Sequence, residues 1–327
     1  MRVLICLCLT LLLAVPARAA ELEGNIFIHD PSVIIVDGIW ASFATGVELA
    51  PDGGTPRTKS SPDGITWSES GPLPGGMPQW IVDELGFTPR NIWAPSISEN
   101  DGTWYLYYSA SAFGKQTSVI GVMTHTAFDA ADPATGWEDQ GMVLRSNPGD
   151  DHNAIDPFRI DTEDGRAWLA FGSWWQGIRL TELDPVTGKA LDPDNRIPLA
   201  GRGGRGIEAP AILWRDPWYY LFVSFDHCCR GVASDYKIMA GRSDTITGPY
   251  LDRDGMPMLE GGGTEILSTK GRYRGPGGQE IFDGPDGAPW LAFHYYDRNA
   301  GGAPKLHLAP LRFDAEGWPV LDPLPED

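Results

Sequence analysis

The chain has 327 residues and a formal net charge of −19 at pH 7, from 44 acidic and 25 basic side chains. A surface this acidic repels phosphate backbones, which excludes nucleic acid as a partner class and leaves neutral or cationic polymers open. With 40 Gly, 28 Pro and 13 Trp, the composition points to many short strands, tight turns and an aromatic-rich core or surface.

The first element is a targeting segment. Arg2 is followed by an apolar run from Ile5 to Val15 and by Ala17-Arg18-Ala19, the small-residue pattern a signal peptidase cuts. The run is too short for a spanning helix of about 20 residues, and no other stretch is long enough to cross a membrane. Residues 1–19 are therefore expected to be a cleaved export signal, giving a secreted protein, extracellular or periplasmic. Removing Arg2 and Arg18 takes the charge to −21. Cys6 and Cys8 leave with the signal, so only Cys228 and Cys229 remain, side by side, either as a vicinal disulfide or as two buried thiols. Such a pair is no multi-bridge framework, and a large core must hold residues 20–327, one domain, together.

Five segments along that domain share one grammar: a Pro at the start of a short strand, a turn, then a second strand rich in aromatics. They are HDPSVIIVDGIWASFATG from His29, WAPSISENDGTWYLYYSAS from Trp93 and IDPFRIDTEDGRAWLAFGSW from Ile155. The last two are EAPAILWRDPWYYLFVSFD from Glu208 and GPGGQEIFDGPDGAPWLAFHYYD from Gly275. Asp-Gly between alternating apolar runs signals a hairpin, because its tight turn needs positive φ. Successive prolines 31, 95, 157, 210 and 276 lie 64, 62, 53 and 66 residues apart. A four-stranded blade with its loops fits that period, and long stretches of helical periodicity are absent. The pattern predicts an all-β fold, a five-bladed β-propeller; a two-sheet sandwich is the main alternative. The terminal hairpin LHLAPLRFDAEGWPVLD is expected to close the ring with strands near the mature N-terminus.

In an antiparallel hairpin, the start of the first strand and the end of the second lie at the same end. Asp30, Trp93, Asp156 and Glu208 occupy first-strand starts, whereas Ser109, Ser173, Phe225 and His294 lie near second-strand ends. With the first strands innermost, these side chains ring one mouth of the channel. An acid before Pro is often only a turn former, but Asp30, Asp156 and Glu208 recur at one place in separate repeats. Three carboxylates at a concave opening suit glycosidic bond cleavage, which needs a protonated acid and an ionised base or nucleophile. Like charges close together push their pKa values apart and sort those roles. Asn153 and Ser173 are candidates to hydrogen-bond the sugar, and Trp174-Trp175 lies at another second-strand end.

The segments HDPS, NIWAPSI, NAIDPF, GIEAP, FDHCCRGVASDYKIMAGRSDTITGPY and YRGPGGQEIF, followed by FHYYD, closely resemble the arabinanases of glycoside hydrolase family 43 over nearly the whole mature chain. The resemblance implies a propeller acting on α-1,5-linked L-arabinan by inversion, with Asp30 as general base, Glu208 as general acid and Asp156 orienting Glu208 or the sugar. It implies sugar-stacking roles for Trp93 and Phe113, and a calcium ion near His294. Calcium prefers oxygen ligands, so water would fill most of its shell above one imidazole. No HExxH spacing marks a catalytic zinc site among the six histidines. Some relatives carry a histidine inside the Gly-Pro-Gly motif, where this chain has Gly275-Pro276-Gly277-Gly278. An endo-acting monomer is expected. An exo-acting arabinofuranosidase or xylosidase would need one end of the cleft blocked, by the region 51–80 or 227–249. A non-catalytic glycan-binding propeller is disfavoured because all three carboxylates are present.

Overall fold

A computed structural model describes residues 21–325, so the export signal at 1–19 lies outside the described residues. Period-two alternation builds the fold. In the strand Thr103–Ala110, Leu106 and Tyr108 pack with Phe43, Ile97 and Met123, while Tyr105 and Tyr107 turn the other way onto Leu169 and Phe171. One strand thus feeds two cores, one on each face of its sheet. Apolar layers of that kind lie between successive sheets and hold them radially.

Blade 1 runs Ser32–Val36, Ile39–Ala44, Arg57–Ser61 and Thr66–Pro72. Blade 2 comprises Trp93–Asn100, Thr103–Ala110, Ser118–His125 and Glu138–Ser146. Blade 3 is Phe158–Asp161, Ala167–Phe171, Ile178–Leu183 and Ile197–Ala200. Blade 4 is Ile207–Arg215, Trp218–Phe225, Lys237–Ser243 and Thr264–Leu267. Blade 5 has Tyr273–Asp283, Pro289–Asp297 and Ala303–Pro310. Within each blade the strands pair antiparallel in chain order. Each first strand touches the first strands on either side, which closes a ring of five about the axis. Asp37-Gly38 and Asp101-Gly102 make the two-residue turns their sequence predicts, with φ of 51° and 80°, and 49° and 78°.

Ring closure matches the sequence expectation in part. The fourth strand of blade 5 comes from the N-terminal segment: Phe27 pairs with Lys305, and the Leu306 N–H donates to the Ile26 carbonyl at 2.9 Å. Within LHLAPLRFDAEGWPVLD, the LHLAP part is already the third strand of blade 5. The remainder folds into its own small hairpin, Arg312–Phe313 with Pro319–Val320. That hairpin packs on blade 4, where Tyr220 donates to the Gly317 carbonyl and Arg242 lies over Trp318. Region 51–80 supplies the outer strands Arg57–Ser61 and Thr66–Pro72 of blade 1, and region 227–249 supplies Lys237–Ser243 of blade 4. The one α-helix among the described residues, Gln79–Leu85, ends at Gly86 with φ 74° and links blades 1 and 2. No helix among the described residues is long and apolar enough to cross a membrane.

Ile28 is 1% exposed and packs with Val33, Trp40, Trp290 and Leu306 across the blade 1–blade 5 seam. Ile28→Ala should cost about 2–5 kcal/mol, as large-to-small core changes do. Urea denaturation should show a lower midpoint at unchanged slope; an unmoved midpoint would mean this seam does not close the ring.

Candidate active site

A bulge at the start of the first strand builds the mouth. Register slips between Trp93 and Ser96, Glu208 and Ala211, and Gly277 and Glu280. At the bend, one residue per blade takes positive φ: Asp30 at 52°, Ala94 at 41°, Asp156 at 56°, Ala209 at 53° and Gly278 at 56°. Non-glycine residues rarely adopt this region, and bulges re-aim side chains beside functional sites. These five residues, with Pro31, Pro95, Pro157, Pro210 and Gln279, line an axial cavity of about 30 Å³ with Glu280 on its wall. In blade 5 the place of the proline is thus taken by Gln279. Pro276, the residue the sequence repeat aligned, sits three positions early.

The bend is held from the neighbouring blade. The Ala94 N–H donates to Thr45 Oγ1 at 2.9 Å and the Asp156 N–H to Ser109 Oγ at 3.0 Å. Likewise the Gly278 N–H donates to Ser224 Oγ at 2.9 Å and the Asp30 N–H to His294 Nδ1 at 3.1 Å. Blade 4 breaks the pattern. The Ala209 N–H donates to the Asp156 carboxylate, Oδ2 at 3.1 Å, and Ser173 Oγ is free to donate to Glu208 Oε2 at 2.7 Å. In blade 4 the second-strand position at the mouth is Ser224; Phe225, singled out from the sequence, is buried one residue on.

The three carboxyl groups meet at this mouth in different surroundings. Asp30 Oδ2 accepts from the Thr45 hydroxyl at 2.6 Å and lies 2.8 Å from His29 Nδ1. Burial alone would raise its pKa, but His29, His294 and Thr45 together outweigh that and hold it well below the usual carboxylate range. Burial is the largest cause at Glu208 too, and with the Asp30 charge it pushes the pKa up to about 7 against the hydrogen bond from Ser173. Burial and the charges of Glu208 and Asp30 raise Asp156 well above the ordinary value, opposed only by the Ala209 N–H. An ionised and a protonated carboxyl therefore share one opening at neutral pH, the pairing that acid–base cleavage needs.

The structure places the other sequence candidates unevenly. Phe113 is 79% exposed on the loop after the second strand of blade 2, an open ring face. Trp93 is half-buried, and its indole N–H is satisfied by Asn91 Oδ1 at 2.8 Å, leaving its face to offer. Ser173 points at Glu208. Asn153 is 2% exposed with Oδ1 accepting from Ser118 Oγ at 2.7 Å, which favours a framework role over sugar contact. Sequence reasoning missed His29, Thr45 and Tyr296 around Asp30, with His29 Nε2 2.8 Å from the Tyr296 hydroxyl. It also underrated Trp174, whose backbone N–H donates to the Ile207 carbonyl at 2.7 Å, beside Glu208. Adjacency to Asp30 was the one signal that could have found His29.

His294 is fully buried, and burial followed by the His29 charge lowers its pKa well below the ordinary value, so the ring is neutral. Nδ1 accepts from Asp30, so the ring hydrogen sits on Nε2, a buried nitrogen with no protein partner. Freeing Nε2 for a cation would move that hydrogen to Nδ1, toward Asp30 Oδ1 at 3.6 Å, and the Asp30 N–H would then give up His294 as its acceptor. Ligand atoms of His29, Asp30 and His294 fall within 4.8 Å of one another. Gly278 keeps the space open, since a Cβ there would stand 2.6 Å from Asp30 Oδ1 and 2.7 Å from His294 Nδ1. The residues fit an ion carried by one imidazole and otherwise by water.

Comparison with known proteins agrees with this architecture. The profile described as glycosyl hydrolases family 43 matches residues 24–319. The chain is 41% identical over 307 residues to the extracellular endo-α-(1→5)-L-arabinanase 1 of Bacillus subtilis, covering 94% of this chain and 91% of that protein. It is 36% identical to the extracellular exo-α-(1→5)-L-arabinofuranosidase ArbA of Cellvibrio japonicus, over 90% of this chain and 86% of that protein. Among solved structures, an exo-1,5-α-L-arabinanase from a bovine ruminal metagenomic library superposes with a TM-score of 0.84 at 38% identity, over 93% of this chain and 100% of that one. On fold, mouth and sequence alike, the chain belongs to glycosyl hydrolase family 43.

Proposed function

We propose that the protein hydrolyses α-1,5-linked L-arabinan internally, as an inverting enzyme with Asp30 as general base and Glu208 as general acid. The observation that carries this reading is the contrast at one mouth between a carboxylate held ionised and a carboxyl held protonated up to about pH 7. In this mechanism Glu208 gives its proton to the leaving glycosidic oxygen while Asp30 takes one from an attacking water. Asp156 holds the Ala209 N–H and so fixes the backbone next to the acid. Trp93 and Phe113 offer ring faces for the sugar chain. The 41% identity to an extracellular endo-acting relative supports internal cleavage and export through residues 1–19. Exo action is the second reading, favoured by the exo-acting relatives at 36% and 38% identity.

Calcium belongs to the same proposal: His294 Nε2 would hold it through the Nδ1–H tautomer, adding positive charge beneath Asp30. Chelation should lower the melting temperature, because an ion bound only by the folded state stabilises it. His294→Ala should remove that response, with the loss of metal seen by elemental analysis. Metal-free protein melting at the holoenzyme temperature would end this part of the reading.

Debranched linear arabinan separates the modes of action. Endo cleavage gives a ladder of oligosaccharides from the first minutes, and a single short product from the start would mean exo action. Proton NMR of the first product should show the β-anomer; an α-anomer would recast Asp30 as a nucleophile.

Glu208→Ala and Asp30→Ala should each lose about 10²–10⁴-fold in kcat, the worth of a positioned acid or base. Retention of near wild-type rate in a folded variant would reassign the role. The pH profile gives a finer check. Activity as kcat/KM should fall as pH rises through about 7, where Glu208 loses its proton. The Ser173 hydroxyl stabilises the ionised form of Glu208, so Ser173→Ala should raise that pKa and move the alkaline limb upward. A downward move would contradict the assignment.

A further inference from the structure

The segment after the second strand of blade 4 carries Cys228 and Cys229, which are joined by a disulfide. It touches residues beside both proposed catalytic groups. On the base side, the Cys229 N–H donates to the Tyr296 hydroxyl at 2.7 Å, and Cys229 Sγ lies 3.8 Å from His29 Nε2. That same hydroxyl sits 2.8 Å from His29 Nε2, and His29 Nδ1 lies 2.8 Å from Asp30. On the acid side, the His227 ring packs on the Trp174 indole with centroids 5.4 Å apart, and the Trp174 backbone N–H donates to the carbonyl of Ile207, the residue before Glu208, at 2.7 Å. Asp235 fixes His227 by accepting from its N–H at 2.9 Å and meeting its Nδ1 at 3.1 Å.

A bond between neighbouring cysteines closes a small ring that removes backbone freedom from both. Cys229 stands at φ 66°, a region an unrestrained non-glycine residue leaves readily. Trp174, packed on His227, holds φ of 52°.

We propose that the Cys228–Cys229 ring is a positioning device, a rigid strut from His227 to Cys229 that keeps His29 on Asp30 and Trp174 against the backbone beside Glu208. The inference rests on the reading of those two carboxyls as base and acid. Opening the ring loosens the strut and lets both partners drift, while the blades, held by their own apolar layers, stay folded. Displacing a catalytic group by about 1 Å can cost roughly 10²-fold in rate, so the effect falls on kcat.

Cys229 is exposed, so a water-soluble phosphine reaches the bond in the folded enzyme. The phosphine takes up one oxygen from water and gives two electrons; two protons complete the thiols. Reduction of the wild type, and the double variant Cys228→Ser/Cys229→Ser, should lower kcat on linear arabinan by about tenfold or more with KM moved by less than about threefold. The melting temperature should hold, and reoxidation should restore the reduced wild type but not the variant. Hydrogen exchange supplies a readout independent of turnover: the Cys229 and Asp30 amides should exchange faster on reduction while strand amides of blade 4 stay protected. Unchanged exchange at Cys229 and Asp30, an unchanged kcat, or a loss of rate that tracks a falling melting temperature would each overturn the proposal. Should the intact enzyme leave arabinan uncut, the functional reading fails while the exchange measurement still decides whether the ring positions Asp30.

Discussion

The site depends on a single kind of contact, repeated round the ring: a backbone N–H at the bend of each first strand, bonded to a side chain of the neighbouring blade. In four places the acceptor is an uncharged group from the end of a second strand, Thr45, Ser109, Ser224 or neutral His294. Without that bond the N–H would be left without a partner near the axis, at a cost of about 1–3 kcal/mol each. With it, a strained positive-φ residue is held in place and its neighbours are aimed into the mouth. Blade packing and site geometry are therefore one interaction seen from two sides.

The fifth place shows how a symmetric scaffold acquires an asymmetric site. Between blades 3 and 4 the acceptor is the Asp156 carboxylate, and Ser173, the residue of matching position, turns to Glu208 instead. Moving one acceptor changes two environments. Asp156 keeps a single backbone donor and two negative neighbours, so its proton is hard to remove. Glu208 gains the Ser173 hydroxyl as a donor, which tempers a rise in pKa that burial would drive further. Asp30, on the far side of blade 5, sits beside two histidines and a hydroxyl and stays ionised. The difference in charge state follows from which neighbour holds which N–H.

Much of this was legible because its signals are local. Proline next to an acid, Asp-Gly turns and period-two alternation are decided within a few residues, so blade number, hairpins and the three carboxyls could be read from the chain. Blade 5 misled because Pro276 imitates the repeat while Gly278 and Gln279 do its structural work; glycine at φ 56° needs no proline after it to make the bend. The closing pair was assigned only in part: LHLAP does meet the N-terminal segment, but the rest of the C-terminal hairpin folds apart from it. An exposed Phe27 and three paired residues carry almost no pattern, whereas the C-terminal hairpin carries a strong one. Tyr296 could not be found, since its bond to His29 spans 267 positions in sequence. Asn153 looked like a sugar ligand by position, but its neighbour Ser118 lies in the adjacent blade and claims it.

The contacts invisible in the sequence are those that set electrostatics. Asp30 would resemble an ordinary turn former if judged by its dipeptide with Pro31, and burial alone would raise its pKa. What reverses the sign is His29, His294 and Thr45, drawn from blades 1 and 5 and meeting only when the N-terminal segment closes the ring. His29 in turn is raised by Asp30 and Glu208 against the lowering effect of its own burial, so each charge depends on the others being assembled. A chain beginning after Ile28 would keep the three mouth carboxyls yet lose the pairing of Ile26 and Ile28 with blade 5 that helps hold Asp30 against His294. Acid–base asymmetry here is thus a property of closure, and the strand that closes the propeller is as much a part of the site as the residues that face the channel.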